Sequence, residues 1–187
     1  YEAIGRAIAP HLAPGTIVSD VGSVKSCVFQ SLGTHLPDHV EFIPGHPVSG
    51  TENSGPEAGF AELFDNRWWI LTPDAATDQA QVDRLAAFVT GLGSRVEIMD
   101  AQRHDLVLAI TSHLPHLIAY NIVGTADDLA TVTPGELIKY SAGAFRAFPR
   151  IAAPDPDFSR DVCLNNRAAL LASPGRYTQA LIAPPSP

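Results

Sequence analysis

Residues 16–25 read Thr16-Ile17-Val18-Ser19-Asp20-Val21-Gly22-Ser23-Val24-Lys25. A short β-branched run passes into Asp-Val-Gly-Ser, and the residues that follow to Leu32 carry apolar side chains at helical spacing. This predicts a strand over 16–21 that turns into a helix over 23–32. The unit decides the fold class: in open α/β sheets ligands bind outside the carboxyl ends of the strands, and helix N-termini favour anions and polar groups. Ser23 is open to two readings there, as the helix N-cap or as a hydroxyl offered to a ligand.

Working outward, Ile4, Ala7, Ile8 and Leu12 predict a helix that stops at Ala13-Pro14-Gly15. A short strand is predicted over 40–43, a helical turn or two over 56–63, a buried strand over 68–71 and a further strand over 95–98. Between the last two lies an amphipathic helix over 78–92, with Val82, Leu85, Phe88 and Val89 on one face. Strands alternating with helices imply a mostly parallel, doubly wound sheet. Beyond Met99 the strand signals vanish. Residues 102–123 are apolar nearly all round, through Leu106, Val107, Leu108, Ile110, Leu114, Leu117, Ile118 and Ile122, which suits the centre of a domain or a subunit interface. Helices are also predicted over 134–140 and 157–171, and the proline-rich tail 173–187 is expected to be disordered or frayed. The predicted architecture is a partial doubly wound, Rossmann-like α/β domain over 1–99, then an all-α domain over 100–172. No internal repeat is found.

The 187 residues are 45% hydrophobic, as in a globular protein. Twelve Lys+Arg against 20 Asp+Glu give a net charge of −8. With Lys25 and Lys139 as the only lysines, the balance argues against a nucleic-acid binder. An anionic small molecule would need a local cationic pocket. Two distant cysteines, Cys27 and Cys163, make neither a disulfide framework nor a zinc motif, so a reducing, cytoplasmic compartment is expected. No uninterrupted apolar run approaches the ~18 residues of a membrane span, and no membrane association is expected. The chain begins at Tyr1 rather than methionine, which hints at sequence upstream.

Three further segments carry candidate chemistry. Gly45-His46-Pro47-Val48-Ser49-Gly50-Thr51-Glu52 follows a strand; His46 is read there as a general base near neutral pH or as a loop histidine that caps a strand end. In Ser112-His113-Leu114-Pro115-His116 the proline removes a helical donor and crowds the Thr111 carbonyl, so a kink is expected. His113 and His116 face one side, as ligand partners, as satisfied core histidines or, weakest for lack of a third ligand, as a metal pair. Between Tyr140 and Arg150, Arg146 is read as a surface ion pair to Asp155 or Asp157. Arg150 is read as that or as a bidentate partner for a carboxylate.

Taken in order, residues 20–25, Gly45-His46-Pro47 with Gly50-Thr51-Glu52, Leu63-Phe64 through Leu71-Thr72-Pro73, Ser112 through His116, and Gly143 through Arg150-Ile151-Ala152 with Asp155-Pro156 resemble the prephenate/arogenate dehydrogenases of tyrosine biosynthesis. The likeness runs from Tyr1 to about Leu171 and looks strongest to the bacterial cyclohexadienyl type. It implies oxidative decarboxylation of a cyclohexadienol, prephenate or arogenate, with hydride passing to NAD or NADP, in a homodimer. By the same resemblance His46 accepts the proton of the ring hydroxyl, and Ser23 orients that hydroxyl near the nicotinamide, beside Gly22. Arg150 holds the ring carboxylate, while Thr51, Ser112, His113, His116 and Gly143 line the substrate pocket.

The chain departs from that family in three places. It holds no Gly-x-Gly-x-x-Gly turn, so the first half of the dinucleotide-binding domain is expected to be missing and the chain alone to show no NAD-dependent turnover. Ser159 stands where some members carry a tryptophan, and Ser173-Pro174-Gly175 is expected to cut short the last helices. The other reading is a non-catalytic dimerising remnant that binds aromatic-pathway acids.

Overall fold

A computed structural model describes residues 1–50, 55–128, 136, 139, 143–153, 155–172 and 174–182. It divides into two compact units, one of residues 1–50 and 59–107, the other of 51–58 and 108–187. By contacts, residues 100–107 therefore go with the sheet, beyond the boundary expected at Met99.

The first unit opens with α1 (Glu2–Ile8) and β1 (Ile17–Val18), followed by α2 (Ser26–Ser31), β2 (Glu41–Phe42), β3 (Gly45–Pro47), β4 (Trp68–Leu71), α3 (Gln79–Gly91), β5 (Arg95–Ile98) and α4 (Ala101–Leu108). β1 pairs with β2 in parallel, Ile17 opposite Glu41. β4 lies between β3, antiparallel with His46 opposite Ile70, and β5, parallel with Ile70 opposite Glu97. Pro44, which has no N–H to donate, separates the two ladders. Backbone bonds still tie them there, from Ile43 N to Val18 O and from Thr72 N to Pro44 O.

Ile43, Trp69, Leu71, Val82 and Val89 form the core of this unit, with Ile17, Phe64, Leu85, Ala86 and Val96 packed around them. α3 starts where Asp78 caps it, its side chain accepting from Ala80 N. Its inward face is narrower than expected. One 100° step from Val89 rotates Phe88 off that face, and Phe88 is 64% exposed. At β4 only Trp68 departs from the buried pattern, its ring lying under the Arg95 guanidinium.

Two expectations need correction here. The helix expected over 23–32 begins at Ser26, so Ser23 is not its N-cap. Residues 45–47 form strand β3 rather than a loop, because Gly45 and His46 complete a ladder with β4, and Pro47 is tolerated since β3 is the edge strand of that sheet. The helical turn or two expected over 56–63 is present as two 3₁₀ turns, Pro56–Ala58 and Ala61–Phe64.

The second unit is helical: a π-helical turn (Ala109–His113), α5 (Leu114–Asp128), α6 (Gly143–Ile151), α7 (Pro156–Asn165), α8 (Arg167–Ala172) and α9 (Pro174–Ile182). The kink expected at Pro115 takes the form of that π turn, which widens the helix just ahead of the missing N–H. The helix predicted over 134–140 lies largely outside the described residues. The tail is not frayed as a whole. Pro174 occupies the first position of α9, where its missing N–H costs nothing, and the other tail prolines fall after Ile182. The stretch Ala101–Asp128 has a mean hydropathy of 1.5 over its most apolar window and is long and apolar enough to cross a membrane by length and composition. A search for uninterrupted apolar runs passes over it, since His104, Asp105, His113 and His116 punctuate it.

Candidate functional site

In the sheet unit the site is built around two buried acids and a buried cation. Asp20, just past the end of β1, is 7% exposed and Lys25 is fully buried. Lys25 Nζ donates to Asp20 Oδ2 and to the Gly45 carbonyl at 2.7 Å. Asp20 also accepts from Gly45 N at 3.1 Å, Gly22 N at 2.8 Å and the Tyr1 hydroxyl at 3.0 Å. The turn after β1 is thus clamped to the first residue of β3 from both sides of the Gly45 peptide. Burial pulls the Lys25 ammonium below its ordinary value, and Asp20 works against that shift.

Close approach explains two glycines. A Cβ on Gly45 would lie 2.8 Å from Trp69 Nε1 and 3.1 Å from the Asp20 carbonyl. A Cβ on Gly22 would collide with the Tyr1 hydroxyl, so a packing reason stands beside the cofactor role expected for that glycine. Ser23 is half-buried on this turn, and its hydroxyl makes no hydrogen bond among the described residues.

Next along β3, His46 is buried at 7% exposure. Its Nδ1 lies 2.8 Å from Nε2 of His104, a fully buried histidine of α4, with the rings edge to face at 5.0 Å. His104 Nδ1 in turn lies 2.9 Å from Asp105 Oδ1. Asp105 accepts from two backbone groups at the start of α2, Lys25 N at 2.8 Å on Oδ1 and Ser26 N at 2.9 Å on Oδ2. Burial pushes its carboxyl up, but the bonds from His104, the Ser26 side chain and these two N–H groups outweigh it and hold the group below its ordinary value. So α2 is capped by a residue 80 positions away. The nearby Cys27 thiol is pushed up, chiefly by burial.

The helical unit holds the other expected residues. His113 is buried, with Nδ1 3.1 Å from Asn166 Nδ2. His116 Nδ1–H donates to the Ser112 carbonyl one turn back at 2.7 Å. Gly143 opens α6, and Arg150 sits in its last turn, exposed, with no carboxylate partner among the described residues. Arg146 is exposed as well. The ion pair expected for it does not form, because Asp157 pairs with Arg160 and Asp155 caps α7 through Asp157 N. Ser159 hydrogen-bonds the Tyr120 hydroxyl at 2.9 Å. Thr51 lies outside the described residues. A cavity of about 520 Å³ between α5 and α9, walled by Leu117, Ile118, Ile122 and Tyr177, contains none of the expected site residues.

His104 and Asp105 are members of the site that no sequence motif marks. The available signal was a His-Asp pair inside an apolar helix, where burial demands partners.

The chain matches the family descriptions "Prephenate dehydrogenase, nucleotide-binding domain" over residues 2–98 and "Prephenate dehydrogenase, dimerization domain" over 100–183. It is 44% identical over 168 residues to a cyclohexadienyl dehydrogenase of Zymomonas mobilis, covering 90% of this chain and 57% of that one. It is 35% identical to a prephenate dehydrogenase of Bacillus subtilis, covering 83% of this chain and 42% of that one. The chain therefore spans about half the length of these curated relatives. Among solved structures, prephenate dehydrogenase from A. aeolicus in complex with hydroxyphenyl propionate and NAD+ superposes with a TM-score of 0.85 at 33% identity, over 96% of this chain and 62% of that one. Synechocystis arogenate dehydrogenase superposes with a TM-score of 0.77 at 28% identity, over 96% and 64%. With both halves of the chain matched in sequence and the fold matched in space, the chain belongs to the prephenate dehydrogenase family.

Proposed function

We propose that this chain provides the proton-accepting and substrate-binding machinery of an NAD(P)-dependent dehydrogenase that converts prephenate or arogenate to its aromatic product in tyrosine biosynthesis. The observation that carries the reading is the placement of His46: an imidazole buried on a strand whose first peptide is clamped to the Asp20–Lys25 turn. A neutral imidazole offers a ring-nitrogen lone pair that can accept a proton.

In the proposed reaction the O–H proton of the ring hydroxyl goes to His46 and the hydrogen on the same carbon leaves as hydride. The bond from the ring to its carboxylate breaks with loss of carbon dioxide, and its electron pair completes the aromatic ring. Bound NAD(P)+ supplies the hydride acceptor. The residues present fit its nicotinamide end, where the Ser23 hydroxyl makes no hydrogen bond among the described residues at the carboxyl end of β1. No residue here is assigned to its pyrophosphate. Arg150 is proposed to hold the ring carboxylate, since a guanidinium matches a carboxylate bidentately. Thr51, Ser112, His113, His116 and Gly143 are assigned to the substrate pocket. We also place the protein in the cytoplasm as a homodimer. The exposed apolar side chains of Leu106, Val107 and Ile110 support an interface.

The test is His46→Asn in the natural polypeptide that carries this chain, assayed by reduction of NAD+ and of NADP+ with prephenate and with arogenate. Loss of a general base is expected to lower kcat by about a hundredfold to ten-thousandfold with substrate binding largely kept. Undiminished kcat would remove His46 from the chemistry.

A further inference from the structure

We propose that His104 is a positioning residue that, with Asp105, fixes the tautomer of His46 so that Nε2 is the proton-accepting atom. This deepens the role given to His46 above and rests on that reading. The argument follows from counting donors and acceptors along the chain of contacts. The Asp105 carboxylate accepts only, and two backbone N–H groups from Lys25 and Ser26 hold its plane in place. At 2.9 Å from Asp105 Oδ1, His104 Nδ1 must therefore carry a hydrogen. In a neutral imidazole that leaves His104 Nε2 as an acceptor. His46 Nδ1, 2.8 Å away, then supplies the hydrogen of that contact, and Nε2 of His46 keeps its lone pair.

The arrangement also serves the step after proton transfer. Once Nε2 accepts a proton, His46 carries a positive charge, and its Nδ1–H already points at an acceptor backed by a carboxylate. The buried imidazolium is then stabilised without reorganisation. The same order of groups, base then orienter, is the general pattern of an activated imidazole; here a second imidazole is interposed between base and carboxylate.

The experiment has two arms. In the first, the full chain labelled with ¹⁵N at histidine is examined by NMR above the imidazole titration, with His46→Asn used to assign the signals. His46 is expected to show a protonated Nδ1 and an unprotonated Nε2. His104→Leu is expected to return it to a mixture of tautomers, and His104→Gln, whose amide oxygen can still accept, to restore the bias in part. A protonated Nε2 in the unaltered chain overturns the proposal whether or not any variant folds, and so does an unchanged tautomer in His104→Leu. In the second, kcat and KM are measured in the natural polypeptide. His104→Leu is expected to lower kcat by about tenfold to a hundredfold with KM little changed, and His104→Gln to recover part of the loss. If His46→Asn abolishes turnover while His104→Leu leaves kcat intact, His46 stands as the base and the positioning role fails. If His46→Asn leaves turnover intact, the functional reading itself fails.

Discussion

Lys25→Met tests whether the clamp under His46 is electrostatic. The substitution keeps an unbranched apolar stem but removes the ammonium that bonds both Asp20 Oδ2 and the Gly45 carbonyl. Breaking a buried pair from one side typically costs roughly 3–5 kcal/mol, because the other charge is left buried without compensation. Asp20 retains three donors, from Gly22 N, Gly45 N and the Tyr1 hydroxyl, which holds the cost near the lower end, about 3 kcal/mol. Both tryptophans, Trp68 and Trp69, lie on β4, so their fluorescence reports the sheet unit alone. For a urea dependence of about 2 kcal/mol per M, the midpoint falls by about 1.5 M. Burial shields the pair from salt, so added sodium chloride leaves the difference between the two proteins unchanged. In the double variant Asp20→Asn with Lys25→Met no charge is stranded, and part of the lost stability returns. A midpoint shift of a few tenths molar for Lys25→Met, or a double variant no more stable than the single, would refute the reasoning.

Two further outcomes follow from the same geometry. Asp105 is held below its ordinary value in the fold, so its ionised form stabilises the native state; that contribution is present above the ordinary carboxylate range and is lost as pH falls through the lowered value. Urea midpoints taken from pH 6 to pH 3 are expected to fall more steeply for the unaltered chain than for Asp105→Asn, and parallel curves would deny Asp105 this role. For substrate binding, Arg150→Gln is expected to raise the KM for prephenate or arogenate about tenfold to a hundredfold with kcat little changed, the worth of a charge-assisted contact. An unaltered KM would return Arg150 to a surface residue.

What the sequence made legible follows from how local each cause is. β4 and β5 appear at the expected residues because an apolar run bounded by turn residues carries its own signal. β3 does not, since Gly45-His46-Pro47 has loop composition and becomes a strand only through pairing with residues 69–71. The start of α2 differs from the expected residue for the same reason. Ser23 has the composition of a cap, yet the cap that forms is Asp105, which no local pattern links to Lys25 and Ser26. At α9 composition misleads, because Pro174 takes the first helical position and the other tail prolines fall after Ile182 in the sequence.

The distribution of charge sharpens the reading of the site. A net charge of −8 repels an anionic substrate, so the cations that attract it must be ones the fold has not already neutralised. Lys25 is excluded: it is fully buried, and its charge is matched by Asp20. Arg6 and Arg160 are excluded in turn by Glu2 and by Asp157 and Asp161. Arg150 is exposed at the end of α6 with no carboxylate partner among the described residues, so no neighbouring side-chain carboxylate there offsets its charge. Lys25 and Arg150 thus stand at opposite extremes of burial and pairing. One holds the strand that carries His46, with its charge matched by Asp20. The other, on the proposed reading, leaves its charge to a ligand. Stability should respond to the first and substrate affinity to the second.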